Sequence, residues 1–77
     1  MAIDVLIFGQ LTDITGTDRI SLAGIADTDA LLSELSSRYP ALAQVKFRVA
    51  VNKKIISGNV ELNQQSTIAL MPPFSGG

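Results

Sequence analysis

The 77-residue sequence contains no cysteine, no histidine and no tryptophan. Without cysteine there is no disulfide staple and no thiolate nucleophile. Without cysteine and histidine together, the thiolate and imidazole ligands of the usual zinc sites are missing, so no metal site is expected. The missing histidine also removes the commonest general base near neutral pH. An autonomous active site is therefore not expected, and any chemistry must be shared with a partner.

Charge is scarce too. Six Lys and Arg residues stand against seven Asp and Glu, for a formal net charge of −1 and 17% charged residues. They are scattered, with no basic patch, which argues against nucleic acid and against a membrane surface as partners. Long apolar runs are absent. The run from Val5 to Phe8 stops at Gly9 with no basic segment before it. That is too short for a signal peptide or a membrane span, so a cytoplasmic location is expected.

What is present is apolar. Hydrophobic residues make up 47% of the chain, enough for one globular domain near the lower size limit of a self-sufficient core. At this size the leftover apolar surface tends to serve an interface, so a protein partner is expected.

Residues 3–9 read as a strand, with Ile3, Val5 and Ile7 on one face and Asp4, Leu6 and Phe8 on the other. Two readings of the second face stand side by side. Either Phe8 and Leu6 meet a partner, or both faces are buried in a central strand. Residues 10–17, with Thr12, Asp13, Thr15 and Gly16, read as a loop or hairpin connection from which Leu11 and Ile14 tuck back. Asp18 to Leu22 alternates as a second strand with Ile20 and Leu22 inward.

Asp27, Thr28 and Asp29 supply a helix start, since their oxygens cap free amides and their charge suits the dipole. Leu31, Leu32, Leu35 and Tyr39 form its apolar face, with Ser33, Glu34, Ser36 and Ser37 toward water. Arg38 suits the last turn, and Pro40 stops the helix.

Lys46 to Asn52 alternates as a third strand with Phe47, Val49 and Val51 on one side. Lys53 to Ile56 continues as a short fourth strand after a turn; the two lysines there are either a solvated turn or a contact for an acidic partner. Ser57-Gly58-Asn59 is another turn. Val60, Leu62 and the polar run Asn63-Gln64-Gln65-Ser66 lead to the last strand, Thr67 to Met71. The order is α+β, with a mixed sheet carrying one main helix on one face and the last strand beside the first.

A compact domain over residues 1–71 is thus followed by an extended tail over residues 72–77: Pro72, Pro73, Phe74, Ser75, Gly76 and Gly77. The prolines fix φ and lack amide hydrogens, so they end the sheet ladder and aim the chain end beyond them. The six residues can reach roughly 20 Å. Gly76 and Gly77 have no Cβ and suit a narrow slot. Read alone, Gly-Gly is equally a frayed end, but that leaves the two prolines and Phe74 unexplained.

These residues resemble the ubiquitin-like β-grasp sulfur carriers, and within them the small subunit of molybdopterin synthase. The likeness lies in Val5-Leu6-Ile7-Phe8-Gly9-Gln10, the Gly16-Thr17-Asp18 turn, Leu31, Leu32 and Leu35, Val49-Ala50-Val51-Asn52, and above all Met71-Pro72-Pro73-Phe74-Ser75-Gly76-Gly77. The chain departs from the pattern at Asn63-Gln64-Gln65-Ser66 and at Thr12, where family members often carry acidic and basic residues respectively.

The resemblance implies a ubiquitin-like β-grasp fold with a flexible tail. It implies that Gly77 is adenylated by an E1-like activating enzyme that binds the ATP, then converted to a thiocarboxylate. The tail, from Pro72 to Gly76, would insert into the large catalytic subunit, where the sulfur passes to a cyclic pyranopterin in molybdenum cofactor biosynthesis. Phe8, Ile55 and Met71 match apolar positions that contact that subunit. No bound cofactor is expected beyond the covalent adenylate and thiocarboxylate at Gly77. A carrier for thiamine thiazole formation and a protein modifier or interaction module are the alternatives.

Overall fold

The computed structural model describes residues 2–73. The expectations placed on Phe74, Ser75, Gly76 and Gly77 lie outside the described residues.

Five strands form one mixed sheet: β1 (Ala2–Ile7), β2 (Arg19–Ala23), β3 (Arg48–Val51), β4 (Lys54–Ile55) and β5 (Thr67–Met71), in the spatial order β2-β1-β5-β3-β4. β1 pairs antiparallel with β2 and parallel with β5. β3 runs antiparallel to both β5 and β4. The last strand is therefore the middle one and lies beside the first, as the strand order implied. This is the expected β-grasp arrangement, and the helix α2 (Thr28–Arg38) packs on one face.

The core follows from alternation. Ile3, Val5, Ile7, Ile20, Leu22, Val49, Val51, Ile68 and Leu70 point to the helix side, where Leu31 and Leu35 meet them. The helix begins where the sequence chemistry places it: the Asp27 carboxylate accepts from the Ala30 amide at 2.9 Å as an N-cap. It ends before Pro40, whose ring cannot continue the ladder. Asn59 fixes the same end from outside. Its side-chain oxygen accepts from the Asp29 amide at 2.8 Å and the Thr28 hydroxyl at 3.1 Å, and its nitrogen donates to Asp27 at 3.3 Å.

Several boundaries differ from those expected from the sequence. β1 stops at Ile7 rather than Gly9, because Gly9 takes a left-handed φ of 60° and turns the chain into a 3-10 turn over Gly9–Leu11. The segment expected as a plain connection holds that turn and a one-turn helix α1 (Thr12–Thr15), closed by left-handed Gly16. Leu11 is buried and Ile14 packs against the core, as expected. β3 starts at Arg48 rather than Lys46, since its register partner there, Met71, is the last residue of β5. Phe47 packs on the core from outside the strand. A second 3-10 turn over Pro40–Gln44 buries Leu42, which no periodic pattern in the sequence assigns to the core. On α2, Glu34 and Ser36 are half-buried rather than fully toward water.

Candidate functional site

The helix covers one face of the sheet and leaves the other in water. Strand alternation places apolar residues on that open face as well, and the register lines them up. Leu6 lies opposite Ala69, Ala69 opposite Ala50, and Ala50 opposite Ile55, one row crossing four strands. Phe8 and Met71 continue the patch at the end of β1 and β5. Phe8 is 47% exposed and Ile55 56%, high values for large hydrophobic side chains, while Leu6, Ala69 and Met71 are half-buried and Ala50 between them is buried. A contiguous apolar surface of this kind on a small domain is characteristic of a partner interface.

The three residues that the resemblance placed at an interface, Phe8, Ile55 and Met71, thus share one face. The alternative in which both faces of β1 are buried does not hold. β1 lies inside the sheet, with its helix-side face buried and its other face leading out through half-buried Leu6 to exposed Phe8. The expectation missed Ala69 and Ala50, whose membership depends on strand order.

The same patch borders the last described residues. β5 ends at Met71, and half-buried Pro72 and Pro73 come next. With no amide hydrogen, neither proline can donate to a neighbouring strand, so pairing stops there. The Phe8 amide donates to the Leu70 carbonyl at 3.0 Å, holding the end of β1 against the end of β5. Pro72 then lies directly over Gly9: a Cβ at position 9 would stand 2.7 Å from its Cγ and 3.3 Å from its Cδ. Pro72 therefore sits against the end of β1, next after Met71 and at the middle of the sheet.

Charge frames the patch. Arg19 lies opposite Leu6 on β2, and Arg48 opposite Met71 on β3. Asp4, one step along the same face, accepts from the Ser21 hydroxyl at 2.9 Å. Among the described residues no group of three or more His, Cys, Asp or Glu side chains could hold a metal ion. Nor does any helix among them have the length and apolarity to cross a membrane. What the arrangement offers is an apolar open face with two consecutive prolines, Pro72 and Pro73, beside it.

A family model described as the ThiS family matches residues 5–77. The chain belongs to the ThiS family. A relative from Escherichia coli (strain K12), named molybdopterin synthase sulfur carrier subunit, is 31% identical over 97% of this chain and 99% of its own length. A relative of the same name from Arabidopsis thaliana is 29% identical over 97% of this chain and 82% of its own. Among solved structures, the ThiS-family fold matches a chain from the complex of subunits 1 and 2 of the molybdopterin-converting factor of Helicobacter pylori 26695, with a TM-score of 0.76, 24% identity and full coverage of both chains. It also matches small archaeal modifier protein 1 of Methanosarcina acetivorans, with a TM-score of 0.77 and 28% identity over 99% of this chain and 96% of that one.

Proposed function

We propose that this ThiS-family protein is the sulfur carrier subunit of a molybdopterin synthase, with the reactive group at the Gly77 carboxylate. The observation that carries the reading is the junction of β5 with Pro72 and Pro73 beside the apolar face of Phe8, Ile55 and Met71. A docking face and a stiffened exit next to each other suit a chain end delivered into a partner's cleft. The names of the two relatives support the pathway.

In the proposed cycle, a Gly77 carboxylate oxygen attacks the α-phosphorus of ATP held by an E1-like activating enzyme, and pyrophosphate leaves. A sulfide-level sulfur then attacks the acyl carbon, AMP leaves, and a thiocarboxylate remains. Acyl activation of this kind needs no side chain of the carrier, which accords with a sequence free of cysteine and histidine. In the large subunit, the thiocarboxylate sulfur attacks a carbon of cyclic pyranopterin monophosphate and displaces the oxygen substituent from it, so that a C–S bond replaces a C–O bond and the carrier is held as an acyl thioester. Water then cleaves the acyl–sulfur bond, leaving the sulfur on the pterin and restoring the carboxylate. Phe8, Ile55 and Met71 dock, Pro72 and Pro73 aim, and Phe74, Ser75 and Gly76 thread the cleft.

A second reading, a protein modifier joined through Gly77 to lysines, is favoured by the 28% identical archaeal modifier. The two separate in one experiment. The thiocarboxylated protein, mixed with the large subunit and cyclic pyranopterin monophosphate, is expected to yield molybdopterin. No molybdopterin, together with Gly77–lysine conjugates in the cell, would reverse the ranking. Recovery of a thiazole synthase as the bound partner would move the carrier to the thiamine pathway.

A further inference from the structure

The chain carries more acid than base, yet the apolar face is bracketed by arginine. Arg19 sits opposite Leu6 at one end of the row, and Arg48 sits opposite Met71 beside the tail root. Both are exposed. Among the described residues the one ion pair joins Arg38 to Glu34 on the far side of the molecule, on α2. The three lysines lie off the strand rows of this face: Lys46 ahead of β3, Lys53 in the hairpin turn, and Lys54 opposite Val51 of the core-facing set. Of the acids near this face, Asp4 is two residues from Leu6 toward the other end of β1 and accepts from Ser21, while Asp18 lies next to Arg19 at the border with Leu6 and Phe8.

That segregation has chemical content. Arginine is weakly hydrated, keeps its charge at every accessible pH and presents a planar fork that matches a carboxylate, whereas lysine holds its water tightly. Its stem can lie along apolar surface while the head reaches the rim. A face with an apolar centre and two guanidinium groups at its edge is suited to a partner of the complementary pattern.

We propose that Arg19 and Arg48 are the specificity-determining rim of this docking face, and that the partner is a protein surface with an apolar centre flanked by carboxylates. The inference rests on the docking reading above and names the charge of the synthase large subunit where it meets β2 and β3.

Binding kinetics between this chain and the synthase large subunit of its source organism test it. Rim charges act mainly on encounter, so Arg19→Glu/Arg48→Glu is expected to lower the association rate about tenfold at low salt, with little change in dissociation. The deficit shrinks at about 0.5 M salt, where screening reaches only a few ångströms. Arg19→Gln/Arg48→Gln falls between the two. Because both side chains are exposed, the melting temperature stays unchanged. An association rate that is unchanged, raised, or lowered equally at both salt levels overturns the inference. If Phe8→Ala still speeds dissociation in that case, docking on this face stands without the charge rule. If Phe8→Ala has no effect either, the docking reading fails with it.

Discussion

Gly9 and Pro72 are in contact across the ends of β1 and β5, and the contact exists because position 9 has no side chain. The left-handed φ of 60° at Gly9 and the 2.7 Å that would separate a Cβ there from the Pro72 ring are two separate demands for glycine. Gly9→Ala is expected to cost about 1–2 kcal/mol for the backbone conformation alone, with a further loss from the contact. Pro72→Ala removes the Cγ and Cδ that the new methyl would strike. The double variant should therefore recover the contact part and leave the backbone part, a non-additivity read directly from urea unfolding. Strict additivity would show that the ring does not press on position 9.

The hairpin between β3 and β4 stores strain of the same kind. Asn52 and Lys53 have φ of 50° and 73°, the two-residue turn that favours Asn-Gly. Asn52 suits its place and also accepts from the Thr67 amide at 2.9 Å. Lys53 does not suit its own. Lys53→Gly is expected to raise stability by about 1 kcal/mol, less the entropy that glycine adds to the unfolded chain. A chemical denaturation midpoint that falls contradicts this.

Asn59 ties the loop before β5 to the start of α2 through three side-chain hydrogen bonds to residues about thirty positions earlier. Asn59→Ala should cost about 1–2 kcal/mol, the scale of a lost helix cap with its coupled bonds. The same change should raise hydrogen exchange at the Asp29 amide. Unaltered exchange there would assign the helix end to Asp27 alone.

Phe8 and Ile55 are expected to separate binding from folding. Phe8→Ala and Ile55→Ala each remove an exposed apolar side chain, so the unfolding midpoint should barely move. Dissociation from the large subunit should accelerate about tenfold or more, as for central interface anchors. A large loss of stability with no change in dissociation would make these residues structural.

Much of the fold is legible in the sequence because its chemistry is local. Asp27 and Pro40 mark the ends of α2 with side chains that act within one turn, and Ile20 and Leu22 follow from alternation. The segment from Gly9 to Gly16 is not legible in this way, because a 3-10 turn and a one-turn helix are too short to show periodicity, while their Thr, Asp and Gly residues carry turn chemistry. The start of β3 is hidden for a different reason. Lys46 and Phe47 fit the alternation, but a strand needs a partner, and β5 ends opposite Arg48. The open face is half visible: Phe8 and Leu6 come from alternation, and Ile55 and Met71 from resemblance, which also picks out Phe8. Ala69, Ala50 and the two arginines join them only through the strand order β2-β1-β5-β3-β4, which brings together residues from four corners of the sequence.

The change proposed at Gly77 is covalent, so an intact mass reads it out. The protein is incubated with its activating enzyme, ATP and a sulfur donor, and the product is fragmented. One oxygen is expected to be replaced by sulfur, with the change mapping to Gly77 and abolished when one further residue is added after it. A mass unchanged under these conditions, or a sulfur located anywhere else in the chain, would contradict it.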